Sequence, residues 1–78
     1  DWALSCAAFN GHLEVVQYLI DKGANIHADD DWALRYAAQN GYLEVVKFLV
    51  SKGANIHAGN NYAFKFSTPN VITYLETL

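Results

Sequence analysis

The chain repeats itself at a spacing of 30 residues, and this limits the available folds more than any other property. Asp1-Trp2-Ala3-Leu4 returns as Asp31-Trp32-Ala33-Leu34. Gly11-His12-Leu13-Glu14-Val15-Val16 returns as Gly41-Tyr42-Leu43-Glu44-Val45-Val46, and Lys22-Gly23-Ala24-Asn25-Ile26-His27-Ala28 returns unchanged at 52–58. Over 1–28 the first copy differs from the second only at Ser5, Cys6, Phe9, His12, Gln17, Tyr18, Ile20 and Asp21. A third start, Asn61-Tyr62-Ala63-Phe64, falls 30 residues further on. Self-similarity at periods of 20–50 residues marks a stack of units, each burying its apolar face on its neighbours. Such a stack is usually a surface for holding something and rarely a place for chemistry.

Each copy reads as two short helices. Asp31 precedes Trp32-Ala33-Leu34-Arg35-Tyr36-Ala37-Ala38 and is placed to act as N-cap, its carboxylate accepting the orphan amides of the first turn. Asp29 and Asp30 add negative charge near the positive helix end. Leu34, Ala37 and Ala38 fall at i, i+3 and i+4 on one face, and the alanines allow close helix approach. Asn40-Gly41 ends the helix, since Gly accepts positive φ. The second helix runs from about Leu43 to Ser51, with Leu43, Val46, Leu49 and Val50 as its core stripe, widened by Val45 and Phe48. A helix apolar on most sides is covered on most sides. Lys52-Gly53 closes it, and 54–58 reads as an extended return with Ile56 pointing inward. The first copy repeats this with Leu4, Ala7, Ala8, Leu13, Val16, Leu19, Ile20 and Ile26.

The third copy departs from this frame. Phe64 and Phe66 replace Leu34 and Tyr36, Ser67-Thr68 replace the alanine pair, and the six residues 39–44 shrink to Pro69-Asn70. Thr68 then becomes the expected N-cap, with Pro69 at the first helical position. Terminal units of stacks are atypical because one face meets water. Nothing in the first copy reads as a cap. It opens abruptly and without Met, so the expectation is a piece of a longer chain with an apolar leading face. Self-association through that uncapped face is then expected unless further copies precede it.

Bulk properties narrow the functional classes. Net charge is −3, which disfavours non-specific nucleic-acid binding. No apolar run reaches the 18 or more residues of a membrane-spanning helix, and no stretch of these 78 residues reads as a signal peptide. A single cysteine, Cys6, excludes an internal disulfide and fits a reducing, intracellular compartment. The 53% hydrophobic content argues against disorder.

With these elements in place, the chain resembles ankyrin-repeat proteins. Gly41-Tyr42-Leu43-Glu44-Val45-Val46-Lys47-Phe48-Leu49, closing with Gly53-Ala54-Asn55-Ile56-His57-Ala58, resembles the family's second helix and its closing Gly-Ala-Asp/Asn motif. Ala37-Ala38 resembles the paired alanines of its first helix. The likeness covers 1–58 and fades over 61–78. It implies an all-α solenoid of helix-turn-helix units, divided as 1–30, 31–60 and a degenerate C-terminal capping repeat at 61–78. Two departures matter. Trp32-Ala33-Leu34-Arg35 stands where the family usually has Thr-Pro-Leu-His, and the connection before it is about three residues short. The projecting hairpin tips should therefore be blunted to simple turns. This variant resembles the repeats of giant amoeba-infecting viruses of the mimivirus group, implying a host or viral protein as partner in the host cytoplasm.

The resemblance also implies a site. In the family, variable first-helix positions line the concave face and the turns flank it. The implied protein contacts are Ser5, Phe9, Asp30, Asp31, Trp32, Arg35, Gln39, Asn61, Tyr62 and Lys65. Trp2, Trp32 and Tyr62 form a regular aromatic column, which reads as packing over the shortened turns before it reads as a binding strip. His27 and His57 share a repeat position, but helices pack on the order of 10 Å apart, too far for one zinc ion at about 2 Å per ligand. A hydrogen bond holding the loop is the simpler role. Cys6 reads as a structural thiol whose counterpart, Tyr36, faces a neighbour. Asp29-Asp30-Asp31 lacks calcium-loop spacing, the glycines make no phosphate loop, and no Ser–His–Asp set is legible. No cofactor, metal or enzyme activity is expected. The alternative to partner binding is a spacer that contacts only its own neighbours.

Overall fold

Three helical hairpins stack side by side in the computed structural model, which describes residues 2–78. They are α1 (Trp2–Phe9) with α2 (Leu13–Asp21), α3 (Ala28–Gln39) with α4 (Leu43–Ser51), and α5 (Ala58–Phe66) with α6 (Pro69–Glu76). The first helices α1, α3 and α5 form one layer and α2, α4 and α6 the other. The first-helix layer is packed more closely than the second, because alanines face the joints. Ala7, Ala8, Ala33, Ala37, Ala38 and Ala63 are all buried there.

The turns inside the first two hairpins follow from glycine. Gly11 and Gly41 adopt φ +72° and +79°. The amides that follow close a Schellman motif, His12 N–H donating to Ala7 O at 2.9 Å and Tyr42 N–H to Ala37 O at 3.0 Å. A Cβ at Gly11 would meet the Tyr42 ring at 2.9 Å, and one at Gly41 would meet Thr68 at the same distance. The glycines thus serve both the turn and the approach of the next unit. In the third hairpin this turn is absent. Ser67 is extended, its hydroxyl donates to Ala63 O, and Thr68-Pro69 starts α6. Thr68 sits at the expected N-cap, but its hydroxyl donates to the Asn70 side chain instead of accepting an amide.

Between hairpins the chain does something the sequence reading did not anticipate. The stretch expected to be extended is a turn. Asn25 and Asn55 Oδ1 accept the backbone N–H of His27 and His57, each at 2.9 Å, an Asx turn. Three consecutive left-handed residues follow, Asp29-Asp30-Asp31 with φ 53–59° and Gly59-Asn60-Asn61 with φ 56–65°. Gly, Asn and Asp tolerate this region best. The right-handed part of α3 therefore begins at Trp32. Among the described residues there is no β-hairpin tip.

Core burial centres on Leu4, Leu34, Leu49, Leu75, Val16, Val45, Val46 and Val71, all essentially excluded from solvent. Each contributes about 1.5–3 kcal/mol relative to exposure. Leu43 and Val50, expected in the central stripe, are half-buried at its edge. Val45, expected only to widen the stripe, lies at its centre. No buried side-chain N or O among the described residues lacks a partner.

A candidate recognition face on the first helices

An aromatic strip crosses the first-helix layer. Tyr36 is its hub, with ring centroids 5.7 Å from Phe9 in α1, 5.2 Å from Trp32 in its own helix and 6.3 Å from Tyr62 in α5. Phe66 continues the strip at 4.7 Å from Tyr62. These separations suit tilted aromatic pairs, worth about 0.5–1.5 kcal/mol each. Phe9 and Phe66 remain about half exposed. At the α1 end the strip opens into a cleft of about 240 Å³ lined by Trp2, Ser5, Cys6, Phe9, Asn10 and Trp32. The Cys6 thiol is free and half-buried in its wall.

Polar groups along the strip are largely satisfied within the molecule. The Arg35 guanidinium lies 5.1 Å over the Tyr62 ring. Its Nε donates to Asp30 O at 3.1 Å and its Nη2 to Asp29 O at 3.2 Å. Tyr62 Oη donates to Gln39 Oε1 at 2.6 Å, and Asn40 Nδ2 donates to Phe9 O at 2.9 Å. Arg35 thus clamps the left-handed turn while its cation rests on the next unit's ring.

Two implied contact residues need correction. Asp31 is 3% exposed, and it is neither a surface contact nor a side-chain N-cap. One carboxylate oxygen accepts the Asn55 N–H at 2.7 Å, and His27 Nδ1 lies 2.9 and 3.0 Å from the two oxygens. Because a carboxylate accepts, the ring proton sits on Nδ1. The Asn55 amide draws the carboxylate away from the amides of Trp32 and its neighbours, so that His27, Asp31 and Asn55 staple one unit to the next. Ser5 is 7% exposed and only lines the cleft. His57 Nδ1 donates to Asn61 Oδ1 at 2.6 Å, the same arrangement without an onward amide. Each histidine holds its own turn, the loop role expected of it.

The other implied residues lie on or beside the strip. Phe9, Asp30, Gln39, Asn61 and Lys65 are exposed, and Trp32, Arg35 and Tyr62 are half-buried. The Trp2, Trp32 and Tyr62 column does not stack ring on ring. Trp32 packs on Tyr36, Tyr62 on Tyr36 and Phe66, and Trp2 is 75% exposed at the cleft. Tyr36 and Phe66 were not expected on this surface, and Trp2 was placed in the aromatic column but not among the contacts. A signal for the first two was present: positions 6, 36 and 66 change between copies just as 5, 35 and 65 do.

Among the described residues no group of three or more His, Cys, Asp or Glu side chains could hold a metal ion, and no helix is long and apolar enough to cross a membrane. A family model for ankyrin repeats, in three copies, matches residues 2–60. No curated protein matches the chain.

Proposed function

The chain belongs to the ankyrin-repeat family, a family of non-catalytic modules that generally mediate protein–protein interaction, and from that premise we propose that it holds a protein partner on the first-helix face. The observation that carries this reading is the exposed aromatic strip. Monomeric surfaces rarely leave such contiguous apolar patches open without an interaction to serve, and aromatic residues lead interface hot spots. The contacts proposed are Phe9, Asp30, Gln39, Asn61 and Lys65, with the open sides of Trp32 and Tyr62. Ser5 and Asp31 leave the set because they are buried. Arg35 acts indirectly, by holding the turn that presents Asp30. An apolar side chain of the partner fills the cleft between Trp2 and Trp32.

We further infer the setting from the Asp-Asp-Asp-Trp-Ala-Leu-Arg start and the 30-residue spacing, which resemble arrays of giant amoeba-infecting viruses. The partner is then a host or viral protein met inside the host cell, where the lone thiol of Cys6 stays reduced. The test is a selection of binders from a displayed random-peptide library on the immobilised chain, each binder retested on Phe9→Lys and Lys65→Glu. The first variant should weaken binding at least tenfold, and the second should change its salt dependence. Binders indifferent to both would overturn the face assignment. A spacer role is the competing reading, and the internal engagement of Arg35, Gln39 and Tyr62 favours it. It predicts that selection yields no binder sensitive to this face.

A further inference from the structure

The two joints of the stack share one frame, and at the second joint the molecule supplies its own occupant. The Arg35 guanidinium of the second hairpin lies 5.1 Å over the Tyr62 ring of the third. It also lies against Gly59, where a Cβ would meet Arg35 Cδ at 3.1 Å and Nη1 at 3.2 Å. Beside it, the Tyr36 ring packs on both Trp32 and Tyr62. A cation and a ring thus occupy the groove between α3 and α5.

At the first joint each of these groups is exchanged. Ser5 stands at the position of Arg35, Cys6 at that of Tyr36, Trp32 at that of Tyr62 and Asp29 at that of Gly59. Two large side chains become small, and the cleft of about 240 Å³ lies where they are missing, with Ser5, Cys6 and Trp32 in its walls. Among the described residues no cation stands over Trp32. Asp29 and Gly59 share the left-handed backbone, at φ 53°, ψ 48° and φ 65°, ψ 41°. The Asp29 Cβ therefore takes the direction that a Cβ at Gly59 would take, toward the place a guanidinium fills at the second joint. Asp29 is exposed, and among the described residues its carboxylate enters no ion pair. An aromatic wall beside an unpaired carboxylate attracts a cation. Arginine suits it best, because its planar guanidinium stacks on a ring while its edge donates to a carboxylate. Both hairpins that build this joint are present. A hairpin ahead of the first would bring its own counterpart of Arg35 to Trp2, not to Trp32.

Resting on partner binding at this face, we propose that the partner presents an arginine next to an apolar residue. The apolar side chain takes the room that Tyr36 takes in the second hairpin, against Cys6 and Phe9. The guanidinium takes the room of Arg35, over the Trp32 ring and beside the Asp29 carboxylate.

The probe is N-acetyl-leucyl-arginine amide, set against the same dipeptide with citrulline, which keeps the shape and loses the charge. Binding to the 78-residue chain is followed through the Trp32 indole N–H signal in heteronuclear NMR spectra, assigned with Trp2→Phe. The arginine peptide should bind about fivefold more tightly than the citrulline peptide. Asp29→Asn puts in a residue that tolerates the left-handed turn. It should remove most of that preference and leave the citrulline peptide's affinity unchanged. Equal binding of the two peptides overturns the assignment, as does no saturable shift with either, or a preference that Asp29→Asn leaves intact. In each of those cases, library binders that still require Phe9 leave partner binding at the face standing, whereas binders indifferent to Phe9→Lys sink both.

Discussion

Val15 and Val45 occupy the same Leu-Glu-Val-Val sequence in the same turn of equivalent helices, yet one is about half exposed and the other sealed. The first two hairpins are near duplicates in sequence and unequal in environment. Burial in a stack is thus set by the neighbour and not by the unit. Polar groups at equivalent positions differ as well. Asp31 and Asn61 occupy one repeat position and each takes a hydrogen bond from the histidine four residues earlier. Only the Asp31 carboxylate also accepts a loop amide, that of Asn55 at the far end of its own unit.

That contrast can be broken by paired substitutions read in urea melts, where a small stack unfolds nearly two-state. The largest difference is expected at the sealed leucine. Leu49→Ala should cost about 2–5 kcal/mol, enough to unfold much of the population, and Leu19→Ala less than half as much. Equal losses would show that the first hairpin is as well supported as the second. Next comes the staple. Asp31→Ala orphans the Asn55 amide and should cost about 1–3 kcal/mol, while Asn61→Ala, exposed and without an onward partner, should stay under about 1 kcal/mol. A cost for Asn61→Ala matching that of Asp31→Ala would mean that the histidine contact, not the Asn55 amide, carries the energy. The smallest contrast is Val45→Thr against Val15→Thr. Burying the hydroxyl should cost about 1–3 kcal/mol at position 45 and stay within about 0.5 kcal/mol at position 15. A comparable loss at 15 would place that residue in a covered site.

The hairpins themselves were legible from apolar spacing and from the Gly that ends each helix, because those signals are local. Leu4, Ala7, Ala8, Leu34, Ala37, Ala38, Val46 and Leu49 are core residues on both readings. What the sequence left open depends on groups far along the chain. No local pattern shows that the Asp31 carboxylate turns toward Asn55, 24 residues away, instead of capping its own helix. Nor does it show that Arg35 spends its donors on the carbonyls of Asp29 and Asp30. Of the contact set, Ser5 and Asp31 are buried; exposure was inferred from variability and turn position, whereas for Asp31 the bonds to His27 and Asn55 decide it. The left-handed triplets escaped notice because Asp-Asp-Asp reads equally well as capping residues in ordinary conformations.

Those triplets also fix where the stack gives way first. Their non-glycine residues, Asp and Asn, hold a conformation that even these tolerant side chains adopt singly and seldom in runs. The amides of Asp31 and Asn61, bonded to the carbonyls of His27 and His57, are thus shielded only by local opening, while those of α4 exchange through loss of the whole fold. A partner that grips two adjacent hairpins closes the seam between them. Its grip would be felt as slowed hydrogen exchange at 29–31 or 59–61, even where it touches neither.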